Sequence, residues 1–101
     1  MQLIQILLPL YDNSGEPLPA ELFSEVRQQL ADRFGGLTTY SRAPAQGLWK
    51  DDGETHHDDI VVFEVMAARL DAAWWGEYRR NLEARFRQRE IVIRAQETVV
   101  L

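Results

Sequence analysis

The sequence predicts an α+β domain built in the order strand, helix, strand, strand, helix, strand. Three observations predict it. Apolar spacing switches between a strand-like period of two and a helix-like period of three to four. The switches fall at prolines, glycines and aspartates suited to turns and caps. Finally, 101 residues, 46% of them hydrophobic, suffice for one modest core and no more, so residues 1–101 read as a single domain.

The first strand is Leu3-Ile4-Gln5-Ile6-Leu7-Leu8, nearly continuous in apolar character, as expected of an inner strand covered on both faces. Pro9 stops it. Tyr11 to Pro19 collects turn formers, and Pro19 suits a helix start because its missing N–H costs nothing there. The helix carries Leu22, Phe23, Val26, Leu30 and Phe34 as one apolar stripe and ends at Gly35-Gly36, where glycine accepts the left-handed conformation. Leu37 to Tyr40 is β-prone, Ala43-Pro44 interrupts it, and Gly47-Leu48-Trp49-Lys50 resumes before the turn Asp51-Asp52-Gly53. Thr55 to Met66 is the second strongly β-like run, making residues 37–66 a long irregular hairpin whose proline keeps the outer arm at a sheet edge. Asp71 is a natural N-cap for the second helix, with Leu70, Trp74, Tyr78, Leu82 and Phe86 spaced by four and Trp75 widening the stripe. Glu83 and Arg87 form a favourably oriented i,i+4 pair. Ile91-Val92-Ile93 opens the last strand.

This order is the split βαβ layout called ferredoxin-like, βαββαβ, an antiparallel sheet with two helices on one face and its first and third strands inside. Taking Ile4, Ile6, Leu8, Val61, Phe63, Val65, Ile91 and Ile93 as the helix side leaves Leu3, Gln5, Leu7, Ile60, Val62, Glu64, Met66, Val92 and Arg94 on the other. That second face is too apolar for water. It predicts a sheet-mediated homodimer with the two sheets stacked.

In element order and in this apolar second face, the chain resembles the dimeric α+β barrel superfamily, small ferredoxin-like subunits that pair through their sheets and enclose a pocket. The resemblance spans nearly the whole chain. It implies a small-molecule pocket, and chemistry ranging over cofactor-free monooxygenases, isomerases and dehalogenating or decolorising enzymes. The string Phe34-Gly35-Gly36-Leu37-Thr38, with Gly47-Leu48-Trp49 and Asp52-Gly53, is also similar to small bacterial proteins of unassigned activity.

Composition excludes several classes. Without cysteine there is no disulfide framework, thiolate zinc site, iron-sulfur cluster or cysteine nucleophile. A net charge of −5 and a pI near 4.9 oppose attraction to nucleic acid or an anionic membrane. Arg69, Arg79, Arg80, Arg85, Arg87 and Arg89 crowd the second helix, but Asp71, Glu77, Glu83 and Glu90 intervene. The apolar stretch Leu3 to Leu10 is too short to span a bilayer and lacks the flanks of a signal peptide. A cytoplasmic location is expected. No glycine-rich phosphate loop, nucleophilic serine motif or complete metal-ligand spacing is present, and no cofactor is called for.

Two polar clusters stand out. In His56-His57-Asp58-Asp59, strand alternation puts one imidazole with one carboxylate on each side. That is half a metal site or an oriented general base, with His57 as the catalytic candidate; its plainer reading is a solvated, acidic hairpin end. The second cluster is Gln5, Glu64 and Arg94 on the apolar face, with Tyr40 and Arg42 on the neighbouring edge strand. Burying Glu64 or Arg94 alone is expensive, so they should pair with each other, a second copy or a ligand. As a pocket floor, Glu64 serves as base while Gln5, Tyr40, Arg42 and Arg94 bind ligand; its plainer reading is a structural network. Trp49 caps such a pocket or packs under its turn. Thr98-Val99-Val100-Leu101, apolar where free tails are polar, is expected to extend the last strand or pack on a partner.

The expectation is therefore a small cytoplasmic homodimer with a small organic ligand at the sheet face. Its rivals are a non-enzymatic regulatory or partner-binding module using the Tyr11 to Pro17 loop, and a cofactor-free isomerase or monooxygenase-like enzyme.

Overall fold

The computed structural model describes residues 1–42 and 60–101, with residues 39–42 described by their backbone. Six elements follow in chain order: β1 (Gln2–Pro9), α1 (Ala20–Phe34), β2 (Thr38–Arg42), β3 (Ile60–Ala67), α2 (Ala72–Arg85) and β4 (Val92–Glu97). The strands form one sheet in the order β2-β3-β1-β4, with each neighbouring pair antiparallel. The architecture is thus α+β. The expected break at Ala43-Pro44, the Gly47 to Lys50 arm, the Asp51 to Gly53 turn and the Thr55 to Asp59 part of the hairpin lie outside the described residues, as do Trp49 and the His56 to Asp59 cluster.

Alternation in the inner strands decides where the core sits. Ile4, Ile6 and Leu8 on β1 stand opposite Val65, Phe63 and Val61 on β3, and all six are buried. On them pack Val26 and Leu30 of α1, Trp75, Tyr78 and Leu82 of α2, then Phe86 and Ile91, in one cluster. Both helices therefore lie over the same face of the sheet. Each large side chain so buried contributes about 1.5–3 kcal/mol.

Local chemistry sets the element ends. Pro19 holds the N-cap of α1 with φ −58°, as its ring requires, and the helix closes on Gly35 at φ +74°, whose N–H donates to the Ala31 carbonyl at 2.8 Å. A Cβ on Gly35 meets no neighbour, so the objection to a side chain there is conformational alone. Gly35→Ala is expected to destabilise by about 1–2 kcal/mol, read from urea midpoints; an unchanged midpoint would contradict the left-handed cap. At the other helix, the Asp71 carboxylate accepts the Trp74 N–H at 3.1 Å.

Two expectations about α2 are corrected, and the tail is seen in part. The buried stripe of α2 runs through Trp75, Tyr78 and Leu82, while Trp74 is half-buried and Leu70 exposed. Leu70 precedes the cap and is not on the helix, and Trp74 stacks instead on Tyr78 at 4.8 Å with the Arg33 guanidinium 4.1 Å from its ring. The Glu83–Arg87 pair requires helix through residue 87, but α2 ends at Arg85 and Arg87 has φ +52°. Glu83 instead accepts the Ile91 N–H at 3.0 Å, clamping the turn into β4. Of the tail, Thr98 is tied by its N–H, which donates to the Met1 carbonyl at 2.9 Å, while Val99, Val100 and Leu101 are exposed among the described residues. Their packing on a partner stays an expectation.

Between the helices, the Tyr78 hydroxyl donates to Gln29 Oε1 at 2.9 Å, and Arg85 Nη2 donates to the same oxygen at 2.9 Å. Burial pushes the phenol above the usual 10.0, with the Arg85 charge opposing. The folded state thus favours the neutral phenol. Its stabilising contribution is complete below pH 10.0 and is lost as pH climbs through the raised folded value. Denaturation midpoints on either side of pH 10.0 should show an alkaline decline that is shallower in Tyr78→Phe; identical slopes in both proteins would exclude Tyr78 as its source.

Candidate functional site

The face of the sheet away from the helices carries the site. Strand register places Thr38, Glu64, Gln5 and Arg94 in one row across all four strands, because Gln5 stands opposite Glu64 on one side and Arg94 on the other, and Glu64 stands opposite Thr38. The Gln5 amide joins its neighbours with its two ends. Its Nε2 donates to Glu64 Oε1 at 2.6 Å and its Oε1 accepts from Arg94 Nε at 2.8 Å. A guanidinium on one side and a carboxylate on the other orient the amide dipole in one sense, and charge-assisted bonds of this kind are about twice as strong as neutral ones.

Around the row the described surface is largely apolar, with exposed Gln96 opposite Leu3 as a polar exception. Leu3 and Leu7 are half-buried, Val62 is buried, and Met66 and Val92 are 40% and 47% exposed. Gln5 and Glu64 are half-buried while Arg94 lies exposed, so the row runs from a sheltered carboxylate to a solvated cation. Glu64 also lines a cavity of about 290 Å³ together with Phe34, Gly35, Gly36, Thr38 and Met66. This cavity is walled on one side by the turn that ends α1. Chemically, the row offers hydrogen-bond acceptors at Glu64 and donors at Arg94, roughly two strand spacings or about 10 Å apart.

Of the six site residues expected from sequence, three are brought together: Gln5, Glu64 and Arg94. Tyr40 stands at the register position opposite Val62, one row away, and Arg42 opposite Ile60, two rows away. Arg42 and Arg94 belong to opposite edges of the sheet, so their backbones do not share one small cluster. His57 lies outside the described residues. The Gly35-Gly36 wall was not foreseen as part of a site; paired glycines after an apolar stripe signal a helix stop, and only register brings them to Glu64. Among the described residues no group of three His, Cys, Asp or Glu side chains is placed to hold a metal ion. No helix among them is long and apolar enough to cross a membrane.

No family model matches the chain, and no curated protein matches it. Among solved structures, a phage SAM lyase in complex with S-methyl-5'-thioadenosine is similar in fold, with a TM-score of 0.62 at 12% identity over 95% of this chain and 80% of that one. At that identity the likeness is one of α+β fold.

Proposed function

We propose that this chain is a ferredoxin-like subunit that pairs with a second copy through its uncovered sheet face and binds a small polar organic molecule in the seam, on the Glu64, Gln5 and Arg94 row. One observation carries the reading. An oriented carboxylate–amide–guanidinium row crosses the middle of a largely apolar face, and apolar walls with a few convergent polar groups are the usual form of a ligand site. The βαββαβ element order with strand order β2-β3-β1-β4 supports the ferredoxin-like assignment. Exposed Met66 and Val92 support pairing, since soluble monomers seldom leave such patches to water.

The ligand presents a donor, such as an amino or hydroxyl group, to Glu64 and an acceptor to Arg94. Gln5 is a positioning residue that holds both. Tyr40 and Arg42 as further ligand-binding residues and His57 as an alternative base belong to the same reading. If the site is catalytic, Glu64 is the base for proton transfer without a cofactor, and Arg94 holds the developing anion.

The first probe is S-methyl-5'-thioadenosine, the molecule bound by the similarly folded phage SAM lyase, which carries donors and acceptors on a flat body. Calorimetric titration should give saturable binding, weakened at least tenfold, about 1.4 kcal/mol, in both Glu64→Gln and Arg94→Gln. Unchanged affinity in both variants would remove the row from the site. Sedimentation equilibrium over a dilution series should return twice the 11.7 kDa chain mass; a single-chain mass throughout would end the pairing.

A further inference from the structure

A second cleft lies beside α2 and shares with the row only Arg94. It is a groove of about 300 Å³ between the first turns of α2 and the edge strand β4. Its floor is apolar. Ile4 and Trp75 are buried there, Ile93 is half-buried, and Leu70 stands 46% exposed among its lining residues. Among the described residues no acidic side chain lines it. Its volume sits at the lower end of small-molecule pockets, roughly 300–1,000 Å³.

One arginine of α2 lines this floor, and the next in sequence stands beside its Gly76 wall. Arg79 lines the groove, and its nearest acid, Glu83, is 4.0 Å away and already accepts the Ile91 N–H. Arg80 folds back along the helix so that its Nη1 lies 3.9 Å from where a Cβ on Gly76 would stand, and it makes no ion pair among the described residues. The other arginine of the lining, Arg94, is committed through Nε to Gln5. Cations thus gather at an apolar cleft in a chain whose net charge is −5.

Gly76 sharpens the point. It sits inside α2 without a left-handed φ, and a Cβ there would make only ordinary contact. Glycine in a helix interior costs about 1 kcal/mol against alanine, and neither the backbone nor packing of this fold requires it. What it does leave is room in the groove.

The geometry points to a binding site for a small organic acid, its apolar body on Trp75 and Ile93 and its carboxylate between Arg79 and Arg80. The anion meets two underused guanidinium groups, and the body covers the exposed part of the floor. A neutral body of the same shape gains the second contribution only.

Phenylacetate is the probe, titrated calorimetrically beside 2-phenylethanol of similar shape, with 4-methylpentanoate to distinguish an aromatic from an aliphatic body. At least one of the two acids should bind saturably, at least tenfold tighter than the alcohol. The Arg79→Gln/Arg80→Gln double variant should lose at least tenfold, and Gly76→Leu, which fills the groove with a helix-forming residue, should abolish binding while the thermal transition persists. Equal binding by the alcohol, full binding by the double variant or by Gly76→Leu, or no saturable heat from either acid would each overturn the assignment. Binding that appears only after removal of residues 98–101 would overturn it too, by giving the groove to that segment of a second copy. Arg94 is common to both sites, but none of these substitutions touches Arg94, Gln5 or Glu64, so failure here leaves the row untouched.

Discussion

Phe63→Ala is expected to remove about 3–5 kcal/mol of folding stability, the range for emptying a buried aromatic site. The ring is fully buried on the inner strand β3, opposite Ile6, where both helices converge. Its surroundings cannot easily collapse into the void. Ile4, Ile6 and Val65 are fixed by strand pairing, and Phe23 and Phe86 are held edge-to-face at 5.3 Å. Since domains of this size carry about 5–15 kcal/mol in total, the variant should sit close to the unfolding threshold at room temperature. Urea titration by circular dichroism measures it directly. A loss below about 1.5 kcal/mol, the scale of a mere Ile to Val change, would mean that the helices do not press on this face as described.

The second large effect is on assembly. Val92 is 47% exposed in the single chain and stands opposite Leu7 on the uncovered face, so replacing it should leave the subunit fold intact. In a stacked pair it would be buried. Val92→Asp would then place an unpaired carboxylate in an apolar seam at a cost of several kcal/mol. Self-association should weaken by at least a hundredfold, about 2.8 kcal/mol, while Val92→Thr, of similar shape, loses far less. Sedimentation equilibrium on the three proteins, with thermal melting as the fold control, decides it. Val92→Asp that still sediments as a pair would move the contact to another surface.

Much of this architecture was legible because single residues with narrow conformational options mark the element ends: Pro19 at a helix entry, Gly35 in the left-handed region, Asp71 with a carboxylate for the Trp74 N–H. The polar row was legible for a related reason. A period of two leaves Gln5, Glu64 and Arg94 on one face, and three polar residues among apolar neighbours satisfy one another most cheaply side by side. Spacing alone could not tell Trp74 from Trp75. Adjacent aromatics are both compatible with a helical stripe, and what separates them is tertiary: Phe34 stacks on Trp75 and meets Trp74 edge-on, while Arg33 covers Trp74. The break after Arg85 was hidden for the opposite reason, since nothing in Glu83 to Arg87 forbids a further helical turn; the demand comes from Glu83 reaching the Ile91 N–H. The groove beside Gly76 depends on Ile4 and Ile93 lying near a helix remote from both in sequence.

Because β4 occupies an outer position in the sheet, half of its main-chain donors and acceptors have no neighbouring strand, an arrangement that in other proteins templates fibrous aggregation. Arg94, Gln96 and Glu97 along it supply the hydrophilic guards that discourage such growth. Replacing Gln96, which faces solvent, by valine in a high-expression host should therefore send more of this chain into inclusion bodies while the melting temperature stays nearly unchanged.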